Sequence, residues 1–214
     1  MIALNEQTYL HLQKLIINNY FSYHKIYSET KISKELGVSR TPFRDAIHRL
    51  AQEGYIDIIP SKGFMLHQLD KKDITETFQV RSALECYCTM QICQEFECQK
   101  AKKLFKELHL ILNNMQTVMQ TTHAIDHFCE YDFQFHIHII NYLENIQFSS
   151  IFSAFMYRMK QLAKLSLAHT GRMEDTYKEH RSILRCMEQG DIENIYKTTI
   201  THMEQPKEIN LEDL

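Results

Sequence analysis

The scarcity of helix-breaking residues constrains the fold of this chain more than any other feature of its sequence. Only 5 Gly and 3 Pro occur in 214 residues. Because these two residues interrupt regular structure most strongly, we expect a mainly α chain with short connections. After residue 69 the apolar spacing is helical almost throughout. It predicts an all-α antiparallel bundle over 70–214, with helices at 73–96, 99–120, 124–142, 146–168, 174–189 and 191–204, Asp73 as the first cap and a frayed polar end at 205–214.

Before residue 69 the pattern changes to two short helices joined by a turn that contains glycine. The first helix would begin near Ser28 or Glu29 and end at Gly37, since glycine readily adopts the left-handed conformation that stops a helix. Ser39 is a natural N-cap for the second helix, and Pro42 falls in its first turn, where the missing N–H costs little. Two such helices form a helix-turn-helix motif.

A hairpin is predicted directly after these helices. The strand-like runs "YIDII" and "FMLHQL" are separated by the turn residues "PSKG". Lys62 and Gly63 would lie at the tip, where a residue with no side chain lets the backbone approach DNA closely. Residues 1–69 are therefore predicted to be a winged helix-turn-helix domain with a small β-hairpin as the wing.

The second short helix carries a basic face. Arg40, Arg44 and His48 lie four residues apart, and two arginines at an exposed helix start suit phosphates and guanine edges in a major groove. The alternative is a solvated basic surface. Residues 1–69 hold 8 Lys and Arg against 6 Asp and Glu, a net charge of +2, whereas the remainder holds 16 against 21, a net charge of −5. This imbalance favours a nucleic-acid contact at the N-terminal end.

The run "LGVSRTPFRDAIHRLAQEGYIDIIPSKGF" resembles the DNA-binding domain of the GntR family of bacterial transcription regulators. The resemblance extends over residues 29–69 and implies that α-helical arginines contact an operator while the wing tip lies close to it. The residues expected at double-stranded DNA are Ser39, Arg40, Thr41, Arg44, His48, Lys62 and Gly63. Family members often have an arginine where this chain has Thr30, so one phosphate or base contact is expected to be missing.

The stretch "EYDFQFHIHII" allows two interpretations. By alternation it is a half-buried strand, whereas with helical period Asp132 and His136 lie one turn apart on the same face. The surrounding residues favour a helix whose inward stripe is apolar except at these two positions. A carboxylate on a core face is costly unless it is paired or bound to a metal. His138 falls on the polar face and is not a ligand candidate.

Two further histidines lie on the inward stripes of later helices. His180 precedes the turn at Gly190 by ten residues and His202 follows it by twelve. In an antiparallel helix pair that rises ~1.5 Å per residue, the two rings would lie within about one turn of the same level. One oxygen and three imidazole nitrogens suit a divalent transition metal, with Zn²⁺ preferred and Ni²⁺, Co²⁺ or Mn²⁺ as alternatives. The predicted ligands are Asp132, His136, His180 and His202, and the competing interpretation is a set of hydrogen-bonded core side chains.

The segments "DFQFH", "EHRSIL" with "GDIE", and "THM" resemble the all-helical effector-binding domain of the FadR subfamily of GntR regulators, the FCD domain. In that domain an Asp-x3-His on one helix and single histidines on two later helices bind a metal. The resemblance covers roughly residues 70–205. Some members lack the metal and bind acyl chains, but this chain has all four ligands, which implies the metal-bound type.

Two arginines are candidates for binding an effector. Arg81 shares the inward stripe of its helix, where it could clamp a carboxylate bidentately. The alternative is an ion pair with Glu85, one turn later, and no ligand. Arg158 is a weaker candidate of the same kind.

Together these patterns predict a homodimeric DNA-binding transcription regulator that binds a palindromic operator with one winged helix per subunit. A small carboxylate metabolite at an open position of the metal would change operator affinity. A purely structural metal and a metal-free acyl site are the alternatives. A metal-dependent enzyme is less favoured, because the sequence has no HExxH and no inward Glu is expected beside the ligands.

The location is expected to be the cytoplasm, with no membrane association. No apolar run approaches the roughly 20 residues that span a bilayer, and the N-terminus does not resemble a signal peptide. The six Cys form no CxxC pair, so we expect small buried apolar residues in a reducing compartment.

Overall fold

The computed structural model describes residues 4–214 and, from residue 5 onward, their side chains. The first three residues of the predicted domain 1–69 lie outside the described residues. The chain divides into two compact units, a winged unit ending at Leu69 and a helical unit, Asp70–Leu214. The described elements are α1 (Leu4–Ile17), α2 (Glu29–Glu35), α3 (Arg40–Gln52), β1 (Ile56–Ile59), β2 (Gly63–Leu66), α4 (Lys71–Gln94), α5 (Gln99–Gln120), α6 (Ile125–Asn141), α7 (Ile146–Leu167), α8 (Arg172–Gln189) and α9 (Ile192–Glu212).

The mainly α fold class predicted from the sequence is confirmed, with 75% of the described residues helical and one small antiparallel sheet among them. In the winged unit, α2 and α3 follow the predicted capping signals. The Ser28 hydroxyl accepts from Lys31 N at 3.5 Å, and Ser39 has the extended backbone of an N-cap but makes no side-chain capping hydrogen bond. The two helices also pack against each other, as the helices of a helix-turn-helix motif do.

The wing is the two-stranded hairpin of β1 and β2, in the register Ile56↔Leu66 to Ile59↔Gly63. A third segment joins it, because Tyr27 and Phe64 exchange backbone hydrogen bonds of 2.7 and 3.0 Å. Gly63 has φ +132°, and a Cβ there would lie 2.0 Å from the carbonyl oxygen of Tyr27. Glycine is therefore needed at this position for internal packing, a reason that the prediction based on close approach to DNA did not include.

An aromatic cluster holds the wing against the helices of the winged unit. Phe64 is buried and packs edge-on against Phe21, with ring centroids 5.4 Å apart, and stacks with Tyr27 at 5.8 Å. Phe43 from α3 reaches the same ring at 6.5 Å. Burying these rings fixes the hairpin on α3, whose opposite side stays exposed.

The first helix of the helical unit begins one turn earlier than predicted. Asp70, not Asp73, is the N-cap of α4, and the two side chains form a reciprocal capping box with bonds of 2.8 and 3.0 Å. Asp73 was wrong as the cap but occupies the third helical position, where an acidic residue completes such a box.

The last helix is longer than predicted. The sequence placed its end near residue 204 with a frayed tail, whereas α9 continues to Glu212 with Pro206 inside it. The buried Asn210 explains the extension, since its Nδ2 donates to the carbonyl oxygens of Leu162 at 3.1 Å and Pro206 at 2.6 Å. A polar side chain that ties the last turn to α7 offsets the cost of the proline.

The helical unit is an antiparallel bundle around one apolar core. The long helix α4 packs against α6, α7, α8 and α9, while α5 closes the other side on α6 and α8. The core is built of residues from all six helices, with Phe128, Phe135 and Phe152 fully buried. Within the described part of the chain, no helix is both long and apolar enough to cross a membrane.

Candidate metal centre and DNA-reading face

Three helices of the bundle bring the predicted ligands together. Asp132 and His136 come from α6, His180 from α8 and His202 from α9. Their exposed fractions are 6%, 1%, 0% and 3%. The helical interpretation of "EYDFQFHIHII" therefore holds, and its alternation is incidental to a helix rich in aromatic residues. His138 lies outside the cluster, with Nδ1 2.7 Å from the carbonyl oxygen of Gln134 in its own helix.

The three imidazole rings point their Nε2 atoms at one another. These atoms are 3.1 Å apart for His136 and His180, 3.2 Å for His180 and His202, and 3.3 Å for His136 and His202. Asp132 lies beside this triangle, with Oδ1 3.5 Å from His180 Nε2 and 3.8 Å from His136 Nε2. The histidines thus form the compact set, and the carboxylate flanks it.

Two carboxylates hold the far side of two of these rings. Glu85 on α4 contacts His136 Nδ1 at 2.5 Å, and Glu179 on α8 contacts His202 Nδ1 at 2.7 Å. His180 differs: its Nδ1 is buried and has no hydrogen-bond partner among the described residues, and its ring stacks on Phe135 with centroids 4.2 Å apart. The expectation that no Glu lies inward beside the ligands was wrong.

Each of these carboxylates is paired with a buried arginine. Arg81 donates from Nε to Glu85 at 2.8 Å. Arg172 donates from both terminal nitrogens to Glu179, at 2.6 and 2.8 Å. The predicted alternative for Arg81, an ion pair with Glu85, is therefore present. Arg172 was missed by the sequence reading, because it lies at the start of α8 and its partner is seven residues later, outside the usual helical pair spacing.

The charges of the cluster favour ionised carboxylates. Burial would raise the pKa of Glu85, but His136 and Arg81 lower it to about 2. Burial also acts to raise the pKa of Asp132, but His136 and His180 bring it below its usual range. For Glu179, hydrogen bonds from His202 and Arg172 likewise outweigh burial and lower the pKa. All three carboxyl groups are thus kept negatively charged.

The three imidazoles respond differently to the same surroundings. Burial and the neighbouring rings hold the pKa of His180 well below its ordinary value, and burial lowers the pKa of His202 despite Glu179. Burial and Arg81 oppose protonation of His136, but Glu85 and Asp132 outweigh them and raise its pKa. Two of the rings are therefore held neutral, the form in which imidazole binds a metal.

This donor set fits a transition-metal ion. In a tetrahedral site with Zn–N bonds of about 2.0–2.1 Å, ligand nitrogens lie about 3.3 Å apart, close to the spacing of the three Nε2 atoms. Because the Nδ1 atoms of His136 and His202 face carboxylates, their Nε2 lone pairs point into the centre. Lone pairs that converge in a buried space repel one another unless a cation lies between them.

Two small cavities border the cluster, and Arg81 and Asp132 line both. One, with about 10 Å³ of free space, is bounded by Phe133, Phe152 and Met159. The other, with about 20 Å³, is bounded by Arg172, His202 and Pro206 among others. Arg158 lines neither of them. Its Nη1 lies 3.2 Å from Asp73 at the start of α4.

The exposed side of α3 carries the predicted DNA-contacting residues. Ser39, Arg40, Thr41, Arg44 and His48 are all exposed, as is Lys62 in the turn of the hairpin, and Gly63 is half-buried. A shallow depression of about 180 Å³ lies between α2 and α3, lined by Glu29, Thr30, Ser33, Arg40, Phe43 and Arg44. Thr30, the departure noted in the sequence, is therefore part of the same surface as the two arginines.

Two family models match this chain. The model for bacterial regulatory proteins of the gntR family matches residues 4–66, and the FCD domain model matches residues 76–205. The chain belongs to the GntR family, in its FCD-domain subfamily. It is a DNA-binding transcriptional regulator and not an enzyme, in agreement with the names of its relatives.

Relatives of this GntR regulator match over most of their length. It is 26% identical to the HTH-type transcriptional regulator YdhC of Bacillus subtilis, over 92% of this chain and 86% of that protein. Among solved structures, Escherichia coli McbR/YncC superposes with a TM-score of 0.74 at 17% identity, covering 100% of this chain and 99% of that one. At such identity the structural likeness shows the fold alone.

The FCD domain of TM0439 has been solved in two forms. The Zn²⁺-bound form covers 68% of this chain and 96% of its own, with a TM-score of 0.53 at 17% identity. The metal-free form has the same coverage, with a TM-score of 0.56 at 18% identity. The FCD fold of this GntR regulator is thus one that is seen both with and without zinc in another protein.

Proposed function

We propose that this GntR regulator binds one divalent transition metal at His136, His180, His202 and Asp132, and that a small carboxylate bound beside the metal changes its affinity for a palindromic operator. The convergence of three Nε2 atoms within 3.1–3.3 Å of one another, in a buried space, is the observation that carries the proposal. Zn²⁺ is the preferred ion, since the donor set of three nitrogens and one oxygen suits it; Ni²⁺, Co²⁺ and Mn²⁺ are the alternatives.

The charge of the cluster supports a cation at its centre. Asp132, Glu85 and Glu179 contribute three negative charges, and Arg81 and Arg172 contribute two positive charges. With neutral imidazoles the buried cluster carries a net charge of −1. Glu85 and Glu179 are each paired with an arginine, whereas Asp132 has only histidine contacts among the described residues, so a cation at the centre would supply the partner that this buried carboxylate lacks. The Zn²⁺-bound form of TM0439 shows that a protein of this fold can hold such an ion.

The effector is proposed to be a small carboxylate that contacts Arg81. Arg81 lines both cavities beside Asp132. Its one hydrogen bond to the described residues is donated by Nε to Glu85. Its terminal nitrogens can clamp a carboxylate bidentately. Drug-sized ligands need cavities of about 300–1,000 Å³, so the small free space disfavours a long acyl chain. We do not assign this role to Arg158, which is paired with Asp73.

For operator binding we propose the exposed start of α3 and the tip of the wing. The arginines Arg40 and Arg44 would contact guanine edges or phosphates, and Lys62 would contact the backbone. The remaining members of this interface are Ser39, Thr41, His48 and Gly63.

We propose that the chain is a homodimer, with the α4–α7 face of the helical unit as its interface. Tyr87 on α4 is 50% exposed and Ile151 on α7 is 41% exposed. Tyr87 also packs edge-on against Phe148 of α7, with ring centroids 5.7 Å apart. An apolar surface of this kind favours self-association. Light scattering should give a dimer for the natural protein and a monomer for Tyr87→Glu with Ile151→Glu.

The metal is tested by elemental analysis of the purified full-length protein. We expect close to one transition-metal ion per chain, lost in His180→Ala. Operator binding is then titrated with a panel of small carboxylic acids, with and without added Zn²⁺. A wild-type protein that contains no transition metal and takes up none would refute the metal site. Acids that never change operator affinity, with the metal present, would refute the effector site.

A structural metal is the second candidate. The small free space in both cavities favours it, because little room remains for a ligand beside the ion. In that case chelation lowers the melting temperature, but no carboxylic acid shifts it in the metal-loaded protein. Under the first proposal at least one acid raises the melting temperature of the metal-loaded protein and not of Arg81→Met.

A further inference from the structure

Two hydrogen-bonded series of side chains, with the same order of groups, lead from the cavity wall to the histidine cluster. In the first, Arg81 binds Glu85 at 2.8 Å and Glu85 binds His136 Nδ1 at 2.5 Å. In the second, Arg172 binds Glu179 at 2.6 and 2.8 Å, and Glu179 binds His202 Nδ1 at 2.7 Å. Each series thus runs from an arginine to a glutamate and then to a histidine, and both end at the common centre.

The effect of such a series on the histidine follows from imidazole chemistry. A neutral ring has one N–H donor and one acceptor nitrogen. Since a carboxylate accepts, it holds the proton on Nδ1 and leaves Nε2 as the acceptor, which is the atom that faces the centre. It also fixes the rotation of the ring and makes Nε2 more basic. His180 has no such support, because its Nδ1 lacks a hydrogen-bond partner among the described residues.

The buried arginines keep these carboxylates charged and in place. Glu85 is almost fully buried and Glu179 is mostly buried, and each touches only one of the two arginines. A buried carboxylate without a cation would take up a proton or turn toward water. Arg81 and Arg172 therefore serve the histidines indirectly, through the carboxylates.

We propose that Glu85 and Glu179 are positioning residues of the metal centre, which hold His136 and His202 in the ligating tautomer and set the affinity for the ion. The inference rests on the proposed function, since it requires a metal at the histidine cluster. It adds two residues that the ligand set does not contain and predicts unequal roles for the three histidines.

The first test is the affinity of the full-length protein for Zn²⁺, measured by competition with a chromophoric chelator. Loss of a carboxylate behind a ligating histidine weakens metal binding about 10–100-fold, so we expect that loss for Glu179→Gln and for Glu85→Gln. The matched control is Glu188→Gln, since Glu188 bonds an exposed histidine outside the cluster, His109, at 2.7 Å. It should leave the affinity unchanged.

A second measurement separates positioning from general destabilisation. In the zinc-loaded wild type, nuclear magnetic resonance should show strongly deshielded, slowly exchanging Nδ1 protons for His136 and His202 but not for His180. Glu179→Gln should remove this signature from His202 alone, and Glu179→Asp should restore part of the affinity. The wild-type spectrum needs no variant to fold, so the test stands even if Glu85→Gln does not.

The outcomes distinguish the two proposals. A wild type that binds no Zn²⁺ refutes the proposed function and this inference with it. A wild type that binds Zn²⁺ while both Gln variants bind equally well, or in which all three histidines show the same Nδ1 signature, refutes the positioning role alone.

Discussion

The two units of this regulator keep their functional side chains in opposite environments. On α3 the residues proposed to contact DNA are exposed, with the Arg44 side chain 66% accessible and a 3.9 Å contact to Glu29. In the helical unit the proposed ligands are almost fully buried, and Glu85 and Glu179 beside them each have an arginine partner. The difference shows what each partner supplies. DNA brings its own negative charge and would meet exposed cations at the surface, whereas a metal would enter a buried cluster in which Glu85 and Glu179 are already paired with arginines.

The largest effect should come from removing both arginines of α3. We expect Arg40→Ala with Arg44→Ala to reduce specific operator binding to the non-specific level, a loss of about 10³-fold or more. Each base contact is worth about 1–3 kcal/mol, and a dimer loses every contact twice. Fluorescence anisotropy with labelled operator DNA measures the loss. Arg181→Ala with Arg185→Ala removes the same charge from exposed positions on α8 and should change little. Equal losses in the two double variants would mean that charge alone matters.

Metal removal should have the next largest effect, and it should act on the helical unit. A ligand at 100 times its dissociation constant stabilises the folded state by about 2.7 kcal/mol. Chelation should therefore lower the melting transition of the helical unit and leave that of the winged unit in place. Differential scanning calorimetry, with Phe64→Ala used to mark the winged transition, makes the measurement. If chelation shifts only the transition that Phe64→Ala shifts, the metal does not lie in the bundle.

The same contrast explains how much the sequence could predict. The proposed DNA-contacting face is local: the run from Gly37 to Gly54 contains its N-cap, its stop signals and its arginines, so helix boundaries and exposed residues follow from one stretch of chain. The proposed ligands could also be predicted from the sequence, because helical periodicity marks polar residues on apolar stripes. That His180 and His202 would come together was inferred from their matching depth in a helical hairpin, and their Nε2 atoms lie 3.2 Å apart.

The parts that escaped prediction depend on contacts between distant segments. Glu179 is adjacent to His180 in sequence but forms its hydrogen bond with His202, a pairing that helical periodicity cannot show. Asn210 looked like part of a polar tail until its bond to Leu162 placed it against α7. Gly63 needed Tyr27, thirty-six residues earlier, to reveal its packing role. In each case the chemistry of the residue was visible in the sequence and its partner was not.

Gly63→Ala should have an intermediate effect and tests that packing role. An alanine at φ +132° is strained by about 1–3 kcal/mol, and its Cβ would also meet the Tyr27 carbonyl oxygen, so the free energy of unfolding of the winged unit should fall by more than the strain alone. Gly37→Ala is the matched control, since it has φ +66° and open space around the added Cβ. Chemical denaturation compares the two. Equal losses would show that the close approach to Tyr27 contributes nothing, and that a role at DNA is the better reason for the glycine.

The smallest effect should come from Lys62→Ala at the tip of the wing. Lys62 is exposed in the hairpin turn, and its side chain makes no hydrogen bond or ion pair with the described residues, so folding should be unchanged. If it contacts a phosphate, its removal weakens binding to all DNA sequences alike and reduces the slope of log affinity against log salt by about 1 per contact, hence by about 2 for a dimer. Anisotropy titrations at several salt concentrations give the slope, and Lys103→Ala, an exposed lysine of α5, should leave it unchanged. A loss of affinity for the operator alone, with the slope intact, would instead place Lys62 at a base edge, and the wing would then contribute to sequence selection together with α3.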